Sequence, residues 1–262
     1  MFERASWTAV RTTGWLKGMT DKGFTAQAGR VVVVGGGSGM GQAIADALLG
    51  EGYEVIIVGR SEERLADAVR ELGDGKLTAV AADVTEEDQV SRLFETVGTV
   101  DHVISTAADL AGAYGPVKTF DFEHGRGFIE TKLIGSMLLA KHARLTENGS
   151  LTFISGIAAY RPAVGGAMVA SVNAALEGLA RALAVELAPI RVNAVSPGWI
   201  MTGIWDQMPW EDKDERLRAM GEKLPARRLG RPEDVAAVVS SLLKSTFVTG
   251  TVLHVDGGHR LV

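Results

Sequence analysis

Seven residues, Gly35-Gly36-Gly37-Ser38-Gly39-Met40-Gly41, stand between a run of four valines (Val31 to Val34) and a stretch of helical period. Glycines at such a junction permit a tight turn and let the backbone approach a pyrophosphate, whose charge the amino end of a helix favours. A glycine-rich segment alone is weak evidence for a nucleotide; one after a strand and before a helix is much stronger. The end of the second apolar run, Val55 to Val58, bears on which nucleotide. An acidic residue there would bond the ribose hydroxyls and repel a 2′-phosphate, whereas this chain has Gly59-Arg60-Ser61. Arg60 offers a guanidinium fork suited to phosphate and Ser61 a hydroxyl beside it, so NADP(H) is expected ahead of NAD(H). A solvated arginine at a strand end is the plain alternative.

These residues need a scaffold, and the rest of the chain reads as one. Strand-length apolar runs alternate with segments of helical period: Val31 to Val34, Val55 to Val58, Leu77 to Ala81, His102 to Ile104, Leu151 to Ile154, Arg191 to Val195 and Val252 to Val255. Between them, Leu65, Val69 and Leu72 recur at helical spacing, a long helix runs through Leu139, and a small-residue helix covers Ala167 to Leu187. Continuous β-branched runs indicate strands buried on both faces. Strand, helix, strand, repeated, predicts a doubly wound α/β Rossmann fold with a seven-stranded parallel sheet and helices on both faces. Residues 29–262 form one domain in this reading; residues 1–28 form a loosely ordered tail without the apolar stretch and small-residue cleavage site of a secretory signal.

Composition narrows the function. The chain has 262 residues, 46% hydrophobic and 23% charged, as an ordinary globular protein does. A net charge of −5 provides no basic field for nucleic acid, and no apolar run approaches the roughly 20 residues that span a bilayer. There is no cysteine, hence no disulfide framework or thiolate metal site, and a cytoplasmic location is expected. The five histidines, His102, His124, His142, His254 and His259, lack the spacing of a helical metal site, so no metal is expected.

The spacing Gly-x-x-x-Gly-x-Gly, together with Asp83-Val84 after the third strand, Ser196-Pro197-Gly198-Trp199-Ile200 with Thr202, Gly230-Arg231-Pro232-Glu233-Asp234-Val235 and Val255-Asp256-Gly257-Gly258, resembles the short-chain dehydrogenase/reductase family. The resemblance runs from about Arg30 to Gly258. Val34 departs from it, since a threonine is usual there. The resemblance implies that Gly35, Gly37, Ser38, Gly39, Met40 and Gly41 hold the pyrophosphate and that Asp83 and Val84 receive the adenine. Ser105-Thr106-Ala107-Ala108 stands where most members have Asn-Asn-Ala-Gly, so Thr106 and Ala107 would border the cofactor, with Ala107 and Ala108 leaving room for it. Pro197, Gly198, Ile200 and Thr202 would close over the nicotinamide.

Members of that family usually work with an asparagine, a serine and a Tyr-x-x-x-Lys pair. Aligned through Ala174-Ala175-Leu176-Glu177-Gly178-Leu179, the tyrosine position is Val169, the lysine position Asn173, the serine position Gly156 and the asparagine position Lys132. All four usual residues are absent in this alignment, and general acid catalysis typically contributes about a hundred- to ten-thousand-fold. Three readings stay open. The site has been rebuilt, with Lys132, Ser155 and Asn173 as its catalytic candidates: Lys132 and Asn173 exchange the charges of the usual pair, Lys132 acts as acid or clamp, Asn173 also meets the cofactor, and Ser155 or Tyr160 supplies a hydroxyl. Or the substrate is an imine-like cation that accepts hydride without a proton. Or the domain binds NADP(H) without turnover, as a sensor, scaffold or partner subunit.

Around that site, Tyr114 and Tyr160 are candidates to line the pocket. Trp199, Trp205, Met208 and Trp210 imply a small apolar substrate if they line it too. Glu211 to Glu215 reads as a solvated helix face. Leu176, Leu179 and Leu183 could pack against the same helix of another subunit; the resemblance implies a homodimer or homotetramer through that helix and its neighbour from Phe128 to His142.

Overall fold

The computed structural model describes residues 29–73, 75–207 and 211–262. The expectation for residues 1–28, and Met208 and Trp210, lie outside them. The seven strands are β1 (Arg30–Val34), β2 (Glu54–Gly59), β3 (Leu77–Ala81), β4 (Val100–Ser105), β5 (Leu145–Ile154), β6 (Arg191–Pro197) and β7 (Val252–Val255). They pair in parallel in the order β3-β2-β1-β4-β5-β6-β7. The helices are α1 (Gly39–Gly50), α2 (Glu62–Leu72), α3 (Glu87–Val97), α4 (Phe122–Ile129), α5 (Gly135–His142), α6 (Ala167–Glu186), α7 (Lys213–Lys223) and α8 (Pro232–Lys244).

The four valines of β1 show why the sheet must be covered twice. Val31 and Val33 enter one core with Ile44 and Leu48 of α1 and Val235 and Val239 of α8. Val32 and Val34 enter the other with Phe94 of α3 and Leu176 and Ala180 of α6. Every β1 side chain after Arg30 is thus removed from water, worth about 1.5–3 kcal/mol for each valine. The chain moves outward from β1 through β2 to β3, then returns to place β4 on the other side of β1. A crevice therefore opens at the carboxyl ends of β1 and β4, the place where open α/β sheets bind ligands.

Four details depart from the sequence expectations. β3 is an edge strand whose side chains are half-buried or exposed, because among the described residues only β2 pairs with it. The long helix through Leu139 is an α-helix broken by a π-turn at Glu130–Ile134, between α4 and α5. Thr131 and Lys132 of that turn are buried. Leu176, assigned above to a subunit contact, is 1% exposed inside the chain's own core, and Leu179 and Leu183 pack on that core. The cause is helical periodicity: Leu176 shares the sheet-facing side of α6 with Val169, Val172, Asn173 and Ala180. Finally, Glu211 and Asp212 precede α7, and only Lys213 to Glu215 open it.

α6, at 20 residues, is long and apolar enough on average to cross a membrane. Its inward face nevertheless packs on the sheet and carries Asn173 and Glu177, so its length serves the core. At the C-terminal end, the Arg231-Pro232-Glu233-Asp234 motif is a helix start. The Asp234 carboxylate accepts the Arg231 backbone N–H at 2.7 Å and both Arg228 nitrogens at 2.6 and 2.8 Å. That pairing holds its carboxyl down at about 2.

His102 on β4 is buried, with Nδ1 2.8 Å from the Ser150 hydroxyl on β5. Burial, reinforced by the Arg191 charge, lowers its pKa to about 4. Above pH 6.5 the ring is neutral in both folded and unfolded chains. Below it the unfolded chain takes up the proton first, so the fold loses stability as pH falls from 6.5 toward 4. The loss reaches roughly 3 kcal/mol. Urea denaturation between pH 7 and 4 should show this slope, and His102→Asn should flatten it.

Candidate active site

The turn after β1 is built on contacts that only glycine permits. Gly35 and Gly39 have φ of +79° and +54°. A Cβ on Gly41 would lie 2.1 Å from the Gly35 carbonyl oxygen, and one on Gly35 would lie 2.4 Å from the Thr106 hydroxyl. Thr106 closes the turn from β4, its backbone N–H and its hydroxyl both donating to the Val34 carbonyl at 2.9 Å. Ser38 precedes α1 without capping it through its side chain, so the first N–H groups of α1 keep no internal partner. A glycine cradle against uncapped N–H groups fits a pyrophosphate. Met40 leans instead on the α1–α8 core.

Other nucleotide-side residues gather around this turn. Thr202 comes within 3.6 Å of the position a Cβ on Gly39 would take, which brings the loop after β6 to the cradle. Gly198 of that loop packs on the turn after β7: a Cβ there would sit 2.7 Å from the Asp256 Cα. Ile200 is buried and bridges to Gly230. Val84 is buried against Gly135 at the start of α5, while the Asp83 carboxylate accepts the Thr85 N–H and hydroxyl at 2.9 and 2.8 Å. Arg60 lies at the end of β2 and pairs with Asp109 at 3.1 Å. The Ser61 hydroxyl caps α2, accepting the Arg64 N–H at 3.2 Å.

Lys132, Ser155 and Tyr160, the residues expected to do chemistry, are linked through Ser155 and Glu177. Lys132, turned inward by the π-turn, donates from Nζ to the Ser155 carbonyl at 2.9 Å and lies 5.4 Å from the centre of the Phe128 ring. Burial lowers its pKa to about 8, partly offset by the charge of Glu177. The Ser155 hydroxyl points away, donating to Glu177 Oε1 at 2.8 Å. The Tyr160 hydroxyl donates to Glu177 Oε2 at 2.7 Å, and burial together with that carboxylate pushes it up to about 12. Both hydroxyls put forward from the sequence are therefore committed to one carboxylate.

Asn173 is buried, and its Oδ1 has no partner among the described residues. Its Nδ2 would lie 2.9 Å from a Cβ on Gly156, so the glycine and the carboxamide occupy matched space. An unpaired buried acceptor costs free energy unless a donor reaches it, and a ribose hydroxyl of a bound dinucleotide is such a donor. α6 carries neither tyrosine nor lysine, and Val169 is packed in a small apolar cluster with Ala113, Phe128 and Val172.

Glu177 and Asp109 escaped the sequence reading. A signal existed for the first: Glu177 is the one acidic residue on the apolar side of α6, four positions after Asn173. For Asp109 nothing in the sequence points across the sheet to Arg60. Trp199 and Trp205 are stacked, ring centres 4.7 Å apart and 7° from parallel, and the Trp205 indole donates to the Ile200 carbonyl at 2.6 Å. Tyr160 stands edge-on to His254 at 4.6 Å. Tyr114 sits half-exposed on the segment after β4.

Comparison with known proteins agrees with this geometry. Residues 34–260 match the family model described as enoyl-(acyl carrier protein) reductase. The chain is 33% identical over 250 residues to the short-chain dehydrogenase/reductase ucsE of an Acremonium species, covering 87% of this chain and 94% of that protein. It is 33% identical over 241 residues to the human 3-oxoacyl-[acyl-carrier-protein] reductase, covering 88% and 97% respectively. A small-chain dehydrogenase crystallised in complex with NADPH superposes with a TM-score of 0.77 at 31% identity, covering 89% of this chain and 99% of that one. The glycine cradle, the strand order and these relatives together establish that the chain belongs to the short-chain dehydrogenase/reductase family, an oxidoreductase of that kind.

Proposed function

We propose that this chain is an NADP(H)-dependent oxidoreductase that works without the family's Tyr-x-x-x-Lys pair, with Lys132 as its acid. Its substrate in this reading is a small apolar carbonyl or imine-like compound. The observation that carries the reading is the buried Lys132 ammonium, whose pKa of about 8 lies near the pH at which a proton must be given. A general acid is most effective when its pKa approaches the working pH, which Tyr160, pushed up to about 12, does not do.

A bound nicotinamide would supply or accept the hydride; the remaining tasks fall to the chain's own residues. The cradle from Gly35 to Gly41 and Arg60 would hold the nucleotide, and the unpaired Asn173 Oδ1 would accept from its ribose. One of the three N–H groups of Lys132 is spent on Ser155, which fixes Nζ and leaves two to meet a developing alkoxide. Ser155 acts through its backbone carbonyl, not its hydroxyl. The Trp199–Trp205 stack supplies an apolar wall. The cytoplasmic location and homo-oligomeric state belong to the same proposal. Ile134 at the end of the π-turn, Met137 of α5 and Val185 on the outer side of α6 are exposed apolar residues suited to a subunit contact.

A second reading, nucleotide binding without turnover, is favoured by one observation: Lys132, Ser155 and Tyr160 each already have a partner. The two are separated by incubating the protein with NADPH and a panel of ketones, quinones and cyclic imines. Turnover of ketones is expected, falling about a hundredfold or more in Lys132→Met while NADPH binding persists. Because the ammonium is the active form, the rate should fall as pH rises through about 8. Micromolar NADPH binding with no turnover of any compound overturns the catalytic reading. In parallel, Arg60→Ala is expected to weaken NADPH roughly tenfold or more by calorimetry and leave NADH unchanged.

A further inference from the structure

Arg60 follows β2 and Asp109 lies a short way beyond β4, and these two strands flank β1 in the sheet. Their ion pair, 3.1 Å between Nη2 and Oδ2, therefore reaches across the carboxyl end of β1, where the glycine turn lies. We infer that this pair is a latch over the nucleotide crevice, and that Asp109 tunes selectivity between the two nicotinamide dinucleotides by competing with the 2′-phosphate for the Arg60 guanidinium. The inference rests on the NADP(H) reading proposed above.

The two ends of the latch are not equally free. The Asp109 carboxylate is tied to its own segment, Oδ1 accepting the Ala111 N–H at 3.1 Å. It also lies over α4 at Gly127, where a Cβ would come within 3.7 Å of the carboxyl group. Arg60 is a long side chain with 56% of its surface exposed, against 28% for Asp109. Opening the latch therefore means moving the arginine from a fixed acid to a new anion. A 2′-phosphate is such an anion and can take the guanidinium through two parallel hydrogen bonds. A 2′-hydroxyl carries no charge, so NAD(H) gains nothing from opening the pair. Asp109 consequently subtracts from NADP(H) affinity whatever the guanidinium gives to the carboxylate.

The test is calorimetric binding of NADPH and NADH to the wild type and Asp109→Asn. Asparagine keeps an oxygen for the Ala111 N–H, so the segment should hold its shape; Asp109→Ser keeps an acceptor too and serves if the first variant is unstable. The expected result is that NADPH binds about fivefold tighter to the variant, the upper range for an exposed ion pair, with NADH affinity unchanged. Unchanged or weaker NADPH binding, or equal tightening of both nucleotides, overturns the latch. Arg60→Ala separates this inference from its foundation. If that variant leaves NADPH binding unaltered, the phosphate grip and the latch fall together. If it weakens NADPH while Asp109→Asn brings no gain, the latch alone falls.

Discussion

Between the Cα of Gly41 and the carbonyl oxygen of Gly35 there is no room for a single methyl group. That close approach lets α1 begin directly above the end of β1, with its first N–H groups turned to the crevice. Much of the nucleotide end is arranged around it. Thr106 is pinned to Val34 because the turn leaves that carbonyl within reach, and Thr202 comes up to Gly39, whose φ of +54° favours glycine. The strand order supplies the other half of the constraint. Since β2 and β4 both border β1, side chains that end those strands face each other over the same turn.

The chemical end follows a different logic, that of a buried cation. A lysine ammonium removed from water survives only with partners, and here it has the Ser155 carbonyl and the aromatic face of Phe128. Glu177 contributes a negative charge from α6 while spending its own hydrogen bonds on Ser155 and Tyr160. Ser155 thus joins the two charged residues, its carbonyl toward one and its hydroxyl toward the other. Such a network holds Nζ in one place, and the incomplete charge compensation leaves the ammonium easier to deprotonate. The π-turn makes the arrangement possible, since an inserted residue re-aims the side chains of a helix at that point.

Fold and nucleotide cradle were both legible in the residues. Four consecutive valines can be buried only if both faces of a strand are covered, and glycines between strand and helix have few other uses. The strand positions, the parallel sheet and the place of the glycine turn followed from these local facts. Less was legible where a side chain's partner is remote in sequence. Ser155 read as a candidate hydroxyl donor and faces Glu177; Ser61, by contrast, read as a phosphate ligand and has a local partner, the Arg64 N–H at the start of α2. Leu176 read as an outer residue because apolar residues on a long helix do not declare which face meets the sheet.

By itself, then, the order of residues determined what is set by period and by excluded volume: the alternation of strands and helices, the double burial of the central strands, and the turn that admits only glycine. The alternation and the turn depend on neighbours within a few positions, where backbone geometry leaves little choice; the valine run demands cover on both faces, which α8 and α6 supply from far along the chain. The tertiary structure alone decided which polar groups satisfy one another. Lys132 meets Ser155, Glu177 meets Tyr160 and Arg60 meets Asp109 because crossovers bring distant segments to one sheet end. Hydrogen bonds and close ion pairs need contact within a few ångströms, so their pairing is fixed by the fold and not by spacing along the chain.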